Sequence, residues 1–456
     1  MNMTGAQAVL ECLKREGVDV VFGYPGGAVL SLYDEVYKAQ FPHILTGHEQ
    51  GAVHAADGYA RVTGRPGVCF ATSGPGVCNM VTGIATANMD SIPLVIISGQ
   101  VATPLIGRDS FQEADISGIT TPITKHNYLV KDAKELPRVL KEAFYIASTG
   151  RPGPVLVDIA KDVFDTSFDF EYPEEVHLRG YKGNPEGCED DVARAVQALA
   201  KAKRPVLLTG GGVVLSGMAD TLRSIVQQLG VPVVTTLMGK GSIPDQWDCH
   251  LGMVGMHGSY AANMAVTQCD LLLAVGARFD DRVTGDAANF APQAKIVHFD
   301  IDKVEINKIV HADISVNADL RWSLPHLCEG LKFDGQALYE RYEDWRHSVL
   351  DMKAVHPFAT RHLEGTISPQ SLFEALQAVT DDDTVVVTDV GQHQMWSAQF
   401  FNLNKPRHFI TSGGLGTWAT PSGGHGSENR LSSIYGRPLY RRRQHHDELS
   451  GICYPS

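Results

Sequence analysis

One carboxylate and one glycine-rich turn are the parts of this sequence best suited to chemistry. Glu49 opens the helical stretch GHEQGAVHAADGYARVTG, where a carboxylate can exchange protons or can simply interact with the positive end of the helix dipole. Pro75 and Asn79 lie in CFATSGPGVCNMVTGIA, which indicates a strand, a Gly-Pro-Gly turn and a helix start. Backbone N–H groups of such a turn can bind a ligand, although a tight turn without a ligand has the same pattern. The residues alone leave both alternatives open for both segments.

These two segments belong to a chain in which short apolar runs alternate with helical stretches. The runs Val68–Ala71, Leu94–Ser98 and Val155–Asp158 are closed by Gly, Pro or Asp, as is typical of buried strands. A second series of such runs occupies 205–212, 231–237, 269–276 and 295–302. This alternation predicts an α/β fold with doubly wound parallel sheets, which bind ligands at the carboxyl ends of their strands.

Polar segments with Pro and Gly predict three domains separated by two linkers. The predicted segments are an N-terminal domain at 1–168, a linker at 169–189, a central domain at 190–332, a linker at 333–365, the start of a third domain at 366–417 and a tail at 418–456. The third domain shows one helix, at 370–379, and one strand, at 384–391. The tail has no apolar periodicity, so we expect no continuation of the third domain there.

The composition is that of a soluble globular protein and excludes several classes of partner. Hydrophobic residues make up 43% and charged residues 20% of the 456 residues. A net charge of −13 argues against nucleic acid and anionic membrane surfaces as partners. The N-terminal stretch is typical of an amphipathic helix and not of a signal peptide, and no run reaches the roughly 18 apolar residues of a membrane span. The scattered cysteines lack metal-binding spacing, which predicts reduced thiols in a cytoplasmic protein.

Ordered motifs across the chain show a resemblance to a known family. The chain contains, at the order and spacing of the thiamine-diphosphate decarboxylase and carboligase superfamily, the segments FGYPGG, HEQGA, ATSGPG, DSIPLVIISGQV, FQEADI, TKH and GRPGPVLVDIAKD. It resembles the catalytic subunits of acetohydroxyacid synthases (acetolactate synthases) in LGMVGMHGSYAANMAVTQCDLLLAVGARFDDRVTG, VVTDVGQHQMWSAQFF and FITSGGLGT. The resemblance covers residues 1–417 almost without a gap.

The resemblance implies a three-domain enzyme that uses thiamine diphosphate, Mg²⁺ and FAD. Such enzymes decarboxylate pyruvate and join the product to a second 2-keto acid, pyruvate or 2-ketobutyrate, in branched-chain amino acid biosynthesis. In the family, a glutamate at the position of Glu49 hydrogen-bonds the pyrimidine ring of the cofactor and promotes loss of the proton on C2 of its thiazolium ring. Residues matching Gln112 and Lys125 approach the substrate. The other residues implied for thiamine diphosphate are Gly26, Gly27, Ala28, Pro75, Asn79, Gln392 and His393.

The flavin and the partners are implied in the same way. The residues implied for FAD, whose role in the family is structural, are Arg151, Gly210, Gly211, Gly212, Met256, His257, Gly258, Gly276, Arg278, Asp280, Arg282, Asp300 and Ile301. The fork-shaped cation of Arg278 suits a flavin phosphate, and an ion pair with Asp280 or Asp281 is the open alternative. Because family active sites form between subunits, the resemblance implies a homodimer or tetramer, and many members also have a small regulatory subunit.

The sequence after Thr417 departs from the family pattern. Family members continue GLGT with a methionine, an LPAA segment, and GDGS with a downstream asparagine, and this Asp and Asn hold Mg²⁺. Trp418 stands at the position of the methionine, and no such metal ligands follow. The codons that can encode Ser422 and the residues after it also permit a second translation when they are read one base later. This second translation can contain PAAMGAK and GDGSIMMN, separated by the same distance as in the family, which predicts a frameshift between Thr417 and Ser422. The 456-residue chain is therefore expected to bind thiamine diphosphate and Mg²⁺ poorly and to be inactive alone.

Two other functions stay open at this point. One is a catalytically dead protein that keeps FAD or dimerises with an intact relative. The other is a different enzyme of the superfamily, namely pyruvate oxidase, glyoxylate carboligase or the FAD-independent acetolactate synthase. Glu49 argues against glyoxylate carboligase, which lacks this acid, and GARFDDRVTG and MHGSYAAN favour the FAD-containing biosynthetic enzyme.

Overall fold

The computed structural model describes residues 1–332, 334–360 and 364–416, and internal contacts divide the chain into two compact units. The first unit contains Met1–Gly183, Val387–Val390 and the described residues from Ile410 onward. The second unit contains Asn184–Val386 and Gly391–Phe409. The predicted tail at 418–456 and its frameshift lie outside the described residues.

The first unit is built around a parallel sheet. Its strands are β1 (Asn2–Thr4), β2 (Val21–Gly23), β3 (His43–Leu45), β4 (Gly67–Ala71), β5 (Leu94–Gln100), β6 (His126–Val130), β7 (Pro154–Ala160) and β8 (Ser167–Asp169). Its helices are α1 (Gly5–Arg15), α2 (Leu30–Lys38), α3 (Glu49–Thr63), α4 (Pro75–Cys78), α5 (Val81–Asp90), α6 (Ile116–Thr120), α7 (Leu136–Ser148) and α8 (Lys161–Asp165). The six-stranded sheet has the order β3-β2-β4-β5-β7-β6 with all pairs parallel, and β1 pairs antiparallel with β8.

The central strands of this sheet are buried along their whole length because elements cover both faces. Every residue of β4, β5 and β7 is buried, and these strands consist mainly of Val, Ile, Leu and Phe. Val95, Ile97 and Val157 share one core with Val9 and Leu13 of α1. This rigid centre leaves the strand ends as the places where loops can present polar groups.

The second unit repeats this architecture. Its strands are β9 (Pro205–Thr209), β10 (Val233–Thr235), β11 (His250–Met253), β12 (Leu271–Val275), β13 (Lys295–Asp300) and β14 (Ile314–Asn317). Of the short strands β15 (Val386–Val387) and β16 (Phe409–Ile410), Val386 and Phe409 belong to this unit, and Val387 and Ile410 belong to the first. Its helices are α9 (Glu189–Lys201), α10 (Gly211–Ser216), α11 (Ala219–Leu229), α12 (Tyr260–Gln268), α13 (Asp281–Thr284), α14 (Leu320–Leu331), α15 (Gly335–Arg341), α16 (Glu343–Val355), α17 (Pro369–Ala378) and α18 (Gln392–Phe400). The sheet has the order β11-β10-β9-β12-β13-β14, again with parallel pairs.

The segment predicted as a linker at 333–365 contains two helices, α15 and α16. Tyr342 and Trp345 are buried, and they donate hydrogen bonds to the carbonyl oxygens of Leu199 (2.7 Å) and Pro205 (3.0 Å). These contacts attach the segment to α9 and to β9 of the second unit. The many charged residues on the outer faces of both helices gave the segment its linker-like composition.

The predicted fold class, doubly wound parallel sheets in an α/β protein, is confirmed in both units. The start of the predicted third domain, at 366–417, supplies α17, α18, β15 and β16, and these residues are divided between the units. Within the described ranges, no helix has the length and apolar character needed to cross a membrane. The same ranges contain no group of three or more His, Cys, Asp or Glu side chains that could hold a metal ion.

Candidate functional site

Glu49 occupies a buried position at the carboxyl edge of the first sheet. It is the first residue of α3, which begins there because the Nδ1 of His48 accepts a hydrogen bond from the Gln50 N–H (3.1 Å). Only 8% of Glu49 is exposed, and its Oε2 accepts a hydrogen bond from Nδ2 of Asn79 (2.9 Å). The structure therefore joins the two chemically suggestive segments, since Asn79 directly follows α4. An oriented, secluded carboxylate is suited to holding a proton on a bound ring.

The turn that follows β4 brings the predicted glycines around Thr72. The Thr72 Oγ1 accepts a hydrogen bond from the Ala28 N–H (3.2 Å), and a Cβ at Gly26 would lie 2.5 Å from the Thr72 side chain. A Cβ at Gly76 would lie 2.8 Å from Thr72 and 3.3 Å from Oε1 of Glu49. A side chain at Gly26 or Gly76 would therefore clash with Thr72, and one at Gly76 would also crowd Glu49.

Three further details complete this edge. Gly27 has no atom within 4 Å of the place where its Cβ would be, so it lies on the open side of the loop. Pro75 is the first residue of α4, where the missing N–H of proline costs no hydrogen bond. Thr72 was not singled out from the sequence; its position as the first residue after a buried strand was the signal that could have identified it.

Gln112 reaches the same edge through the loop that follows β5. A Cβ at Gly74 would lie 2.6 Å from the carbonyl oxygen of Gln112, so the turn after β4 contacts the Gln112 backbone directly. Gln112 has φ 58°, a left-handed conformation that costs a non-glycine residue about 1 kcal/mol. Glu113 holds the loop by accepting a hydrogen bond from the Ser110 N–H (2.8 Å), and the neighbouring Phe111 is 88% exposed. The structure thus brings Gln112 together with the Glu49 group.

A buried carboxylate, Asp158, helps to anchor this loop, and the sequence alone did not indicate it. Asp158 of β7 lies opposite Ser98 of β5, and its oxygens accept hydrogen bonds from the Ser98 hydroxyl (2.7 Å) and from Nε2 of Gln100 (2.9 Å). The same Nε2 donates to the carbonyl oxygen of Ala114 (3.1 Å), which anchors the loop. Burial raises the pKa of Asp158 to about 6, and Asp115 adds to the effect, while the two hydrogen bonds oppose it.

Lys125 and Arg151 lie at the opposite, amino edge of the first sheet. Lys125 lies just before β6 begins, and its Nζ donates to the carbonyl oxygens of Ile146 (2.5 Å) and Thr149 (2.7 Å). The Nε of Arg151 donates to the Ser91 hydroxyl (2.8 Å), just before β5. Within this unit the structure does not bring either cation to Glu49, so the substrate role of Lys125 and the flavin role of Arg151 stay predictions.

A buried ion-pair network closes the far end of α3. Arg61 is 5% exposed, and it donates to Asp57 (2.6 Å and 3.3 Å), to Asp90 (2.8 Å) and to the Thr411 carbonyl oxygen (2.8 Å). Asp90 in turn accepts a hydrogen bond from the Gly414 N–H (2.8 Å). The backbone that follows β16 is thereby fixed on the same helix that carries Glu49.

Apart from Arg151, the residues predicted for FAD lie in the second unit, and the glycines among them gather at the carboxyl edge of its sheet. The Gly212 N–H donates to the Gly276 carbonyl oxygen (3.0 Å), and a Cβ at Gly210 would lie 2.2 Å from that oxygen. A Cβ at Gly211 would lie 3.0 Å from Cβ of Met238. The loops after β9 and β12 therefore approach each other so closely that only glycine fits, which leaves a backbone surface with few side chains.

The charged residues of this edge are tied to one another. Arg278 lies 3.7 Å from Asp280, so the ion pair that competed with a flavin contact is present. Asp280 also caps α13 by accepting from the Arg282 N–H (3.1 Å). The Met256 N–H donates to the Arg282 carbonyl oxygen (2.9 Å), which joins the loops after β11 and β12. These contacts place the sequence-predicted Met256, Arg278 and Arg282 on one edge of one sheet.

The remaining residues predicted for the two cofactors lie at several different places in the second unit. A Cβ at Gly258 would lie 2.4 Å from the Met253 carbonyl oxygen, while the carbonyl oxygen of Ile301 accepts from Nδ2 of Asn317 (3.1 Å). Two other predicted flavin residues are Asp300, which is 8% exposed, and His257, whose carbonyl oxygen accepts a hydrogen bond (3.0 Å). Gln392 and His393 begin α18 and belong to the second unit, so the unit that contains Glu49 does not include them.

The two edges differ in the groups that they fit. Around Glu49, the side-chain-free loops and the Asn79 amide suit a flat, neutral ring that exchanges a proton with the carboxylate. Around Gly210 and Gly276, backbone surface with Arg278 and Arg282 nearby suits a phosphate-bearing dinucleotide. Mg²⁺ requires several oxygen ligands, and the described residues offer no such carboxylate cluster.

Comparison with known proteins gives consistent matches over most of the chain. Three family models of thiamine pyrophosphate enzymes match this chain. The model of the N-terminal TPP binding domain matches residues 3–119, that of the central domain matches 192–327, and that of the C-terminal TPP binding domain matches 389–423. Acetolactate synthase of Mycobacterium bovis is 50% identical over 418 residues, which are 91% of this chain and 68% of the relative. Acetolactate synthase large subunit of Corynebacterium glutamicum is 48% identical over 425 residues, 92% of this chain and 68% of the relative. A probable acetolactate synthase large subunit of Methanocaldococcus jannaschii is 48% identical over 425 residues, 91% of this chain and 71% of the relative.

Proposed function

This chain belongs to the thiamine pyrophosphate enzyme family, in the group of acetolactate synthase large subunits, and on that basis we propose that it is a transferase acting on 2-keto acids. The proposed reaction is decarboxylation of pyruvate and transfer of the two-carbon product to a second pyruvate, giving 2-acetolactate, or to 2-ketobutyrate, giving 2-aceto-2-hydroxybutyrate. These are reactions of valine, leucine and isoleucine biosynthesis.

The observation that carries this proposal is the secluded hydrogen bond between Asn79 and Glu49 beside side-chain-free loops. Thiamine diphosphate, when bound, supplies the carbanion chemistry. Glu49 would share a proton with the pyrimidine ring, Asn79 would orient the carboxylate, and the Gly26–Ala28 loop together with Gly76 would accommodate the ring. Gln112 supplies a polar side chain at the same edge, where a 2-keto acid approaches. Burial of Glu49 excludes water from the proton transfer.

The other cofactors are proposed with different support. FAD is supported by the glycine-lined edge at Gly210–Gly212 and Gly276, with Arg278 and Arg282 beside it. For Mg²⁺ the described residues provide no fitting ligand set, so no step is assigned to a metal ion. Lys125, Gln392 and His393 are proposed to act on substrate or cofactor diphosphate only in an assembly in which a second subunit completes the site.

The proposed partners follow from the same family. We propose a homodimer or tetramer, because family sites form between subunits, and a small regulatory subunit, because the relatives are named large subunits. We propose that neither nucleic acid nor an anionic membrane is a partner, because the net charge of the chain is −13. The proposed location is the cytoplasm.

Replacement of Glu49 tests the proposal. Acetolactate formed from pyruvate, with thiamine diphosphate, Mg²⁺ and FAD supplied, is measured for this chain and for a form whose reading frame is restored after Thr417. We expect Glu49→Gln to lower kcat by about 10²- to 10⁴-fold, because the amide cannot exchange a proton with the ring.

The matched control is Glu11→Gln, at a partly exposed carboxylate of α1 that pairs with Arg15, and it should leave kcat unchanged. Acetate and hydrogen peroxide in place of acetolactate would favour a pyruvate oxidase. Absence of any product in both forms, with FAD bound, would favour a flavin-binding protein without this activity and contradict the proposal.

A further inference from the structure

A cavity of about 240 Å³ lies inside the second unit, at the outer edge of its sheet. Its walls come from β11, from the end of α16 and the residues that follow it, and from α18. None of the single residues predicted for FAD lines it, although Ser259 and Ala261 of the MHGSYAAN segment do. The cavity is smaller than the roughly 300–1,000 Å³ of pockets for drug-sized ligands, which restricts any occupant to a small molecule.

One wall of the cavity carries a buried chain of polar groups. Asp245 accepts a hydrogen bond from Nζ of Lys240 (2.6 Å) and lies 3.2 Å from Nδ1 of His250. The Nε2 of His250 faces the Thr235 hydroxyl at 3.4 Å. Burial opposes ionisation of Asp245, but Lys240 and His250 outweigh it and hold the pKa of this carboxyl well below its usual range. The negative charge of Asp245 is thus fully compensated within the wall.

Lys353 of α16 adds a second cation to the same cavity. Its Nζ donates to the carbonyl oxygens of His250 (2.7 Å) and Asp248 (3.4 Å), and within the described ranges it forms no ion pair with a carboxylate. An ammonium group has three donors, so one remains for a ligand. Burial lowers the pKa of Lys353, and an anion beside it would relieve this cost of ionisation. In the described part of the chain, the hydrogen bonds of the Lys353 ammonium thus go to carbonyl oxygens, while the carboxylates of Asp248 and Asp245 lie near enough to favour its charge.

The remaining lining is mixed, with the polar residues Ser259, His356, Gln399 and Asn402 beside several apolar side chains. The aliphatic and aromatic side chains that face the cavity are Leu251, Met253, Ala261, Phe358 and Ala398. An inorganic anion such as phosphate would satisfy Lys353 but leave these surfaces without a contact. A molecule with one charged end and an apolar body satisfies both parts of the lining.

We propose that this cavity binds a small aliphatic monocarboxylate, with its carboxylate on Lys353 and its hydrocarbon body against Leu251, Phe358 and Ala398. The site is independent of the carboligase chemistry assigned above. It gives the second unit a binding function for small acids in addition to the flavin.

Calorimetric titration of the full 456-residue chain with isovalerate, isovaleramide and inorganic phosphate tests the proposal. We expect saturable binding of isovalerate and about tenfold or more weaker binding of the amide, which has the same shape without the charge. Lys353→Met should weaken isovalerate binding about tenfold or more, and Ala398→Leu should abolish it by filling the cavity. Lys332→Met, which removes an exposed lysine of the same unit, is the matched control and should bind as the parent chain does.

Thermal unfolding of each variant checks that it folds. If Lys353→Met does not fold, the comparison of acid with amide and the Ala398→Leu variant still decide the question. Equal affinity for acid and amide, binding that survives Ala398→Leu, or binding of phosphate alone would each overturn the proposal.

Discussion

Asp158 shows how one buried group makes the stability of the first unit depend on pH. Its pKa rises from 3.8 to about 6 in the folded chain, because burial disfavours the charge more than the bonds from Ser98 and Gln100 favour it. The folded chain therefore binds this proton more tightly than the unfolded chain does. Its contribution to stability is fully present below pH 3.8 and is lost as the pH rises through about 6.

Asp158→Asn removes this titration and should change the pH profile of unfolding. From about pH 4 to pH 7 the parent chain should lose about 3 kcal/mol of unfolding free energy relative to the variant, since one pKa unit corresponds to about 1.4 kcal/mol. Urea unfolding of both proteins at several pH values measures the difference. Asp34→Asn, at an exposed aspartate of α2, is the control. A constant difference between parent and Asp158→Asn at all pH values would contradict the prediction.

At the scale of elements, α3 connects the proposed catalytic carboxylate to a buried ion-pair network at its other end. Arg61→Met should destabilise the first unit by about 3–5 kcal/mol, because it leaves the carboxylates of Asp57 and Asp90 buried without their cation. The destabilisation should be smaller at low pH, because burial raises the pKa of Asp57 and this carboxyl then takes up a proton. The midpoint of thermal unfolding at neutral and acidic pH measures both effects.

Arg65→Met is the matched control for Arg61→Met. Arg65 follows α3 and pairs with Asp19 at the surface, where both side chains are more than a third exposed. Solvent screens such a pair, so this change should cost about 0–1 kcal/mol. Similar losses for both variants would show that the buried network contributes no more than a surface ion pair.

The loops after β9 and β12 make a separate prediction for the flavin edge. Gly210→Ala should abolish FAD binding, because the new Cβ would lie 2.2 Å from the Gly276 carbonyl oxygen and the loops would separate. Gly27→Ala should leave the flavin bound, since nothing lies within 4 Å of its Cβ position in the first unit. Flavin absorbance of the purified proteins measures retention. A yellow Gly210→Ala protein with the flavin content of the parent chain would contradict the assignment of this edge.

The elements themselves were largely predictable from the sequence. The apolar run at 295–302 became β13, and the helix predicted at 370–379 is α17. The strand predicted at 384–391 shortened to Val386–Val387, because a run of apolar residues does not show how many of them find a pairing strand. The helices at 333–365 read as a linker, since only a few buried residues such as Tyr342 and Trp345 reveal their packing face.

The candidate site was predictable only in part, for a physical reason. Glu49, Asn79 and Gln112 follow different strands, and the rule for parallel sheets places such residues on one edge. Lys125 precedes its strand and lies at the other edge, a distinction that depends on where β6 begins. The position of Thr72 directly after β4 was a usable signal, but Asp158 and Arg61 act through Ser98 and Asp90, which are distant in sequence, and no local pattern marks such contacts.

On the scale of the whole molecule, the described residues provide only part of what the proposed reaction needs at the edge around Glu49. The edge around Glu49 holds a carboxylate and its orienting amide, whereas the described residues provide no ligand set for Mg²⁺. The segment that would contain the family's metal ligands begins after Thr417, outside the described residues. The residues named for the flavin edge all precede Thr417. Flavin binding and carboligation should therefore respond differently to changes after Thr417.

We propose that residues 418–456 are read out of frame, and restoration of the frame tests this proposal together with that separation. The 456-residue chain should bind FAD, yet show thiamine diphosphate affinity at least about tenfold below that of the frame-restored form, because a cofactor diphosphate without Mg²⁺ is poorly held. Acetolactate formation should be confined to the restored form. Flavin absorbance, calorimetric titration with thiamine diphosphate and Mg²⁺, and the DNA sequence across the codons for Leu415–Ser422 are the measurements. Equal cofactor affinity and activity in both forms would show that residues 418–456 supply the missing ligands themselves, and the out-of-frame interpretation would then be wrong.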